Sequence, residues 1–199
     1  MIHIRNLPFI LETGEIRCAS HPNADSAYTP IGDATLIQSR SHKTIPKAPG
    51  GGFQDYVSFY FGVRTPMLYV IQRGFNEVNQ LPQGEIIYLV TTVQNVLDYT
   101  HKFVFFDGHA YEILSQCFNS VNELNNVDWI ATKARQWASS SDPDLKRRKQ
   151  AEFLVYSELP VNHLHGIAVY SNEAKEQVTG MLSEFDVALP VKIKNSYYY

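Results

Sequence analysis

Glu152 has the most unusual setting of any acidic residue in this chain, because it lies where a basic segment meets an apolar one. Residues 150–155 read QAEFLV, and Arg147 and Arg148 come just before them. A carboxylate at the start of a core strand is costly to bury unless it has a partner. Periodicity alone therefore favours an edge-strand glutamate that faces water or pairs with Arg147 or Arg148, since most charged residues are exposed.

A group of cations precedes a glycine run in the first quarter of the chain. Arg40, His42, Lys43 and Lys47 are four potential cations within eight residues, and residues 50–52 are all glycine. Glycine lets a backbone approach a ligand closely, and clustered cations suit phosphates or a polynucleotide backbone. A solvated loop with a flexible turn is the simpler interpretation, and the residues alone leave both open.

Composition limits how such a chain could bind nucleic acid. The 199 residues carry a net charge of −3, and the sequence pI is about 6.1. A broadly basic surface is therefore excluded, and nucleic acid would need a local basic patch together with stacking. Aromatic residues make up 13% of the chain, but the cluster at residues 56–61 is more typical of a core than of a stacking platform.

Several standard sites are missing from the sequence. It has no G-x-G-x-x-G, G-x-x-x-x-G-K-[ST], G-x-S-x-G or H-E-x-x-H motif. These absences disfavour a Rossmann dehydrogenase, a P-loop NTPase, an α/β-hydrolase and a zincin, respectively. His163 and His165 form one close pair without further ligands, and Cys18 and Cys117 lie far apart, so we expect no metal site. No apolar run approaches the roughly 18 residues of a membrane helix. The N-terminal residues lack the basic segment and apolar core of a signal peptide, so we expect a cytoplasmic protein.

Short strands and short helices follow one another without regular alternation, which predicts an α+β fold with antiparallel or mixed sheets. The length predicts one domain, residues 1–199. Residues 15–52 have little periodicity, and so long a stretch indicates a functional or disordered loop, with a short helix expected at Ala34–Ser41. Further strands are predicted at 53–61, 85–90, 102–106, 151–159, 166–170 and 191–194, and helices at 3–14, 110–118, 127–137, from Asp142 onward, and at 171–185.

An ordered set of motifs covers nearly the whole chain and resembles the DarT family of DNA ADP-ribosyltransferase toxins. The set runs from HIRNLPFIL at residues 3–11 through IGD at 31–33, Arg40, DYVSFYF at 55–61 and FFDGHA at 105–110 to QAE at 150–152. Each piece is weak by itself, whereas all of them in this order are specific. Little precedes His3, and Ser58 stands where proline is common in the family.

The resemblance implies an ADP-ribosyltransferase-like fold with a long NAD and substrate loop, and NAD as co-substrate. It implies transfer of ADP-ribose to a base in single-stranded DNA, with thymine favoured over guanine. Catalytic roles are implied for Glu152 and Arg40. A macrodomain antitoxin like DarG is the implied partner. The resemblance also implies an NAD site formed by His3, Asn6, Gly32 and Tyr60. From their positive charge, the residues expected to bind the DNA are Arg40, Lys43, Lys47, Arg147 and Arg148.

Two functions of other classes stay open at this stage. A protein ADP-ribosyltransferase would share Glu152 and the NAD site without needing the cations of residues 40–47. A non-catalytic module would bind single-stranded nucleic acid and consume no NAD.

Overall fold

The computed structural model describes residues 1–199 and has ten short strands, seven α-helices and six short 3-10 helices. The helices are α1 (Leu7–Thr13), α2 (Ala34–Ser41), α3 (Pro66–Arg73), α4 (Val93–Tyr99), α5 (Trp129–Lys133), α6 (Leu145–Lys149) and α7 (Asn172–Glu184). The strands are β1 (Ile2–His3), β2 (Glu15–Arg17), β3 (Tyr56–Tyr60), β4 (Ile86–Val90), β5 (Phe103–Phe106), β6 (Cys117–Phe118), β7 (Glu152–Tyr156), β8 (Glu158–Pro160), β9 (Gly166–Val169) and β10 (Val191–Ile193).

The strands form two four-stranded sheets and one small pair. One sheet has the order β3-β7-β5-β6 and is antiparallel throughout. The other has the order β1-β4-β9-β10 and is mixed, because β9 and β10 run parallel. The remaining two, β2 and β8, pair antiparallel. The α+β class with mixed and antiparallel pairing is confirmed.

The main core lies between the two large sheets. Phe105 and Phe153 from the first sheet and Ile87 and Ile167 from the second belong to one buried cluster. The apolar runs at β5 and β7 are central strands, and every residue of β5 is buried. This packing leaves β3 at the edge of its sheet, with one side open to the loops that precede it in the chain.

Side-chain caps define the start of several helices. Asp33 accepts the N–H of Leu36 at the start of α2, and Thr65 accepts the N–H of Leu68 at the start of α3. The helix expected at Ala34–Ser41 has those bounds. None of the seven helices is long and apolar enough to cross a membrane.

Several predicted elements differ from the structure. The helix expected from Asp142 onward begins at Leu145, after Asp144, and the strand expected at 53–61 is reduced to β3 because residues 53–55 form a 3-10 helix. Residues 110–118 form turns and then β6 rather than a helix, because the Asp107 carboxylate accepts the N–H of Gln116 and closes the segment into a loop. The helix expected at 127–137 ends at Lys133, where the next residue takes an extended backbone. The strand expected at 151–159 divides into β7 and β8 at Ser157, whose φ of 67° interrupts the extended chain.

Candidate active site

Glu152 is the first residue of β7, between β3 and β5 in the centre of the sheet. It lies opposite Tyr60 on β3 and opposite Phe106 on β5, and only 1% of its surface is exposed. The edge-strand interpretation is therefore wrong, and so is the pairing with Arg147 or Arg148. The physical reason is that a strand bonded on both sides holds its carboxylate inside the protein, where a cation from another element meets it.

That cation is Arg40. Its Nη1 donates to Oε1 of Glu152 at 3.1 Å and its Nη2 donates to Oε2 at 2.7 Å, so the pair is bidentate. The amide N–H of Ala110 donates to the same Oε1 at 3.1 Å. Burial opposes the charge on Arg40, but the Glu152 carboxylate outweighs it and raises the pKa of the guanidinium above its usual value. The buried carboxylate is thus compensated and oriented by three donors.

The helix α2 brings Arg40 to Glu152 across 112 residues of chain. No residue of α2 is buried, and the helix lines the cavity beside Glu152 with Leu36, Ile37, Arg40 and Ser41. The guanidinium of Arg40 also lies 4.8 Å from the centre of the Phe53 ring, which is cation–π distance. The long segment of weak periodicity therefore carries a residue of the candidate site.

Arg40 and Glu152 line a cavity of about 360 Å³, which Gly32 and Tyr60 line as well. A second cavity, of about 470 Å³, shares Ala19, Ile37, Tyr56 and Ser58 with the first and includes Asn6. A third, of about 330 Å³, shares Phe59 and Tyr60 with the first. The three follow the edge strand β3, and each has a volume within the range of small-molecule sites.

Two of the four residues predicted to bind NAD are engaged with the protein itself. His3 accepts the N–H of Arg5 at Nδ1, and its Nε2 lies 3.1 Å from Oε2 of Glu85. The side-chain amide of Asn6 donates to the carbonyl and accepts the N–H of Thr29. Asn6 therefore fixes the loop that leads to Gly32.

The other two face the cavity beside the ion pair. A Cβ added at Gly32 would lie 3.1 Å from the Ile37 side chain, so glycine keeps this wall open. The Tyr60 side chain lies on the same face of the sheet as Glu152, across the strand pair. Burial raises the pKa of the Tyr60 hydroxyl and the Glu152 charge raises it further, so the phenol stays protonated.

The predicted DNA-binding cations fall into two groups. Lys43 and Lys47 are exposed on the loop after α2. Lys43 donates to the carbonyl of Tyr111 and lies 4.0 Å from the centre of its ring. These two lysines therefore lie at the surface, close in sequence to Arg40.

Arg147 and Arg148 are bound to carboxylates instead. Arg147 pairs with Asp107 and Asp144, and Arg148 contacts Asp128, Asp142 and Asp144. The four aspartates outnumber the two arginines, which leaves no excess positive charge at this cluster. The prediction that these arginines bind DNA has no support from this geometry, which gives them a structural role.

His109, in the D-G-H sequence that follows β5, is a further residue at the site. It is buried, it precedes the Ala110 amide that bonds Glu152, and its Nδ1 lies 3.9 Å from Glu112. Burial lowers the pKa of the imidazole despite the attraction of Glu152, so the ring is neutral at pH 7. The turn motif D-G-H after an apolar strand was the available indication, because strand ends commonly carry site residues.

The start of β7 is anchored by Lys149, another residue the sequence reasoning did not single out. Its ammonium is buried and donates to the carbonyls of Val63 at 2.7 Å and Thr132 at 2.6 Å. Burial lowers the pKa of Lys149 to about 8. Beside it, a Cβ added at Gly62 would lie 2.1 Å from the Thr132 carbonyl oxygen. Lys149 lies three residues before Glu152. Through these bonds it holds the segment after β3 against α5.

The side chains of His, Cys, Asp and Glu form no group of three or more that could hold a metal ion. His163, one of the close histidine pair, lies 2.9 Å from the carbonyl oxygen of Asn95 through its Nδ1.

Comparison with known proteins gives one consistent family. The family model described as ssDNA thymidine ADP-ribosyltransferase, DarT, matches residues 1–199. A DNA ADP-ribosyl transferase from Thermus sp. (strain 2.9) is 38% identical over 199 residues, 99% of this chain and 93% of that protein.

Two solved structures of Thermus sp. 2.9 DarT are similar to this fold. The complex with ADP-ribosylated ssDNA has a TM-score of 0.91 at 36% identity and covers 99% of this chain and 93% of that one. The complex with NAD+ has a TM-score of 0.86 at 34% identity and covers 99% and 94%.

Proposed function

The chain belongs to the DarT family of ssDNA thymidine ADP-ribosyltransferases, and we propose that Glu152 and Arg40 carry the reaction. It is an enzyme that uses NAD as co-substrate and attaches ADP-ribose to thymine in single-stranded DNA, the activity of a toxin in toxin–antitoxin systems. One observation supports the residue assignment above the others: a buried, bidentate Arg40–Glu152 pair lines the central cavity.

Glu152 stabilises the positive charge that develops on the ribose. The bond between nicotinamide and ribose breaks through a transition state that resembles an oxocarbenium ion. A carboxylate held in a buried site stabilises such charge more strongly than one in water, because it needs no reorganisation and the local dielectric constant is low. The Ala110 amide and Arg40 hold both oxygens in place, so Glu152 is oriented before the substrate binds.

Arg40 stabilises negative charge on the acceptor. Thymine N3 must lose its proton as the new N3–ribose bond forms, and a guanidinium stays protonated in proteins, so Arg40 is a poor base. The same charge is well suited to the imide anion, or to an NAD phosphate. Glu152 or water takes the proton, and the nicotinamide departs as a neutral ring.

His3, Asn6, Gly32 and Tyr60 form the NAD site in this proposal. Asn6 acts through the loop that it binds at Thr29. Gly32 has no Cβ and so leaves the space next to the Ile37 side chain free for the ligand. A protonated Tyr60 donates a hydrogen bond beside the reacting sugar. Residues 1–199 act together as one catalytic domain.

Lys43 and Lys47 bind phosphates of the single strand, since both are exposed close in sequence to Arg40. The earlier candidates Arg147 and Arg148 are left out of the DNA path because carboxylates engage both of them. The DNA substrate implies action in the cytoplasm. As the toxin of its pair, the enzyme would be neutralised by a DarG-like macrodomain partner.

The test uses NAD with four single-stranded oligonucleotides, each lacking one of the four bases, and a duplex of mixed sequence. The expected result is an ADP-ribose adduct on every single strand that contains thymine and none on the strand without it or on the duplex. Glu152→Ala is expected to abolish the adduct. An adduct on the thymine-free strand, or on protein in place of DNA, would contradict the proposal.

A further inference from the structure

A shallow cavity of about 330 Å³ lies where the second sheet ends at its edge strand β10, and we refer to it as the edge cavity. Two small residues of β9 line it, because Gly166 has no side chain and Ala168 has only a methyl group. Lys192 on β10 lies opposite Ala168. Lys194 follows two residues later and therefore points to the same side of the chain. The edge cavity is thus open in the middle and has a lysine on each part of its rim.

The charge in the edge cavity is positive and is not neutralised by the protein. Besides Lys192 and Lys194 the lining includes His165, and it includes no aspartate or glutamate. All three side chains are exposed, and none of them forms an ion pair. Arg147 and Arg148 differ in this respect, because aspartates engage both. In a chain of net charge −3, the edge cavity is therefore a local patch of positive charge that is free to bind an anion.

Tyr197 adds an aromatic side chain to the same cavity. Its ring packs edge-on against Tyr88, with the ring centroids 5.7 Å apart. The Tyr88 hydroxyl also donates to the carbonyl oxygen of Tyr197 at 2.9 Å, so the residue is held in place. Exposed cations around a fixed aromatic ring are the combination that binds single-stranded nucleic acid without reading its sequence, since cations contact phosphates and the ring stacks on a base.

The edge cavity is continuous with the cavities of the candidate active site. Val90 and Tyr197 line both the edge cavity and the third cavity described above. That third cavity shares Tyr60 with the cavity beside Glu152. A single strand carries a negative charge at every nucleotide. A strand with its target base beside Glu152 therefore has a continuous surface along which it reaches the two lysines.

We propose that Lys192, Lys194 and Tyr197 form a second contact for single-stranded DNA, remote from the target thymine. The two lysines bind phosphates beyond the nucleotides at the active site, and Tyr197 stacks on a base. This inference rests on the proposed function, which supplies a polyanionic substrate. Contacts to phosphates carry no sequence information, so the second contact increases the affinity for long strands and leaves the reaction at the thymine unchanged.

The experiment measures steady-state kinetics of DNA modification by the full chain on two oligonucleotides, of about 5 and about 30 nucleotides, each with one central thymine. The double variant Lys192→Ala with Lys194→Ala is expected to raise the KM for the long strand about tenfold at about 0.2 M salt. It should also lower the slope of log KM against log salt by about 1.4, the value of two lost phosphate contacts. Tyr197→Leu, which cannot stack on a base, is expected to raise the same KM by a similar factor of about ten. The KM for the short strand, and kcat for both strands, should stay at their wild-type values.

The matched control is Lys102→Ala with Lys175→Ala, which changes the net charge by the same amount. Both of these lysines are exposed, and neither lines the edge cavity or the cavities that connect it to the active site. The control variant should keep the wild-type KM for both strands. If the double variant at the edge cavity does not fold, Lys192→Ala and Lys194→Ala are measured singly, and each should lower the salt slope by about 0.7.

A wild-type KM of the folded edge-cavity variants for the long strand overturns the inference. An equal rise with the short strand or in the control variant also overturns it. So do normal DNA kinetics combined with weaker binding of a macrodomain antitoxin, because that result assigns the surface to a protein partner. If wild type makes no adduct on either strand, the proposed function has failed, and fluorescence anisotropy of the same strands decides the inference without any reaction. The long strand should then bind the double variant about tenfold more weakly than it binds wild type, and equal binding overturns the inference.

Discussion

The Arg40→Ala variant is expected to lose stability as well as activity, because it leaves the Glu152 carboxylate buried without its cation. Removing one partner of a buried ion pair typically costs about 3–5 kcal/mol. Arg40 is 15% exposed at its side chain and Glu152 keeps the Ala110 N–H. We therefore expect a loss near the lower end of that range, about 3 kcal/mol in the free energy of unfolding.

The assay is denaturant unfolding at pH 7 of four proteins: wild type, Arg40→Ala, Arg40→Lys and the double variant Arg40→Ala with Glu152→Gln. Lysine keeps the charge but loses the planar fork, so about 1–2 kcal/mol should be lost. The double variant removes the buried charge together with its partner. It should therefore be more stable than Arg40→Ala alone, by about 2 kcal/mol.

Two results would refute this reasoning. One is an Arg40→Ala protein within about 0.5 kcal/mol of wild type, the usual range for a surface substitution. The other is a double variant less stable than the single one. An Arg40→Lys enzyme with full activity on DNA would separately remove the need for the guanidinium geometry.

Three further predictions concern the packing at Gly62, the buried Lys149 and the surface lysines Lys43 and Lys47. Gly62→Ala should cost about 1–3 kcal/mol of stability, because its Cβ would overlap a carbonyl oxygen of α5; Gly84→Ala, with nothing within 4 Å of its Cβ, is the control and should cost nothing. Burial lowers the pKa of Lys149 from 10.5 to about 8, so the folded state binds fewer protons between those values. The unfolding free energy of wild type should then rise with pH relative to Lys149→Met, by at most about 3 kcal/mol, and a flat difference across a pH series of unfolding curves contradicts this. Lys43→Ala and Lys47→Ala should each lower the slope of log KM for DNA against log salt by about 0.7, and an unchanged slope argues against phosphate contact.

Local patterns predicted the elements that carry the site better than they predicted the site itself. The short helix was expected at Ala34–Ser41, and α2 has those bounds. The strand beginning at Glu152 was also expected from its apolar run. What periodicity could not supply was the order of strands in the sheet. A residue in β7 is exposed or buried according to whether another strand pairs on each side of it, and that depends on β3 and β5.

The partners of charged side chains were the least predictable feature. Arg147 and Arg148 are near Glu152 in the chain, yet both turn to aspartates, while Arg40 arrives from 112 residues away. Nearness in sequence is a poor guide here, because a strand and the helix before it point their side chains in different directions. The catalytic assignment of Arg40 and Glu152 came from the order of motifs along the whole chain, and it remains a prediction for these two residues.

The most direct test of the account is the intact mass of a single-stranded oligonucleotide with one thymine after incubation with NAD and either wild type or Glu152→Gln. Glutamine keeps the size of the side chain and removes its charge, so it isolates the electrostatic role given to the carboxylate. One ADP-ribose adduct is expected with wild type and none with Glu152→Gln. None is expected when cytosine replaces the thymine. Full adduct formation by Glu152→Gln would contradict the central claim.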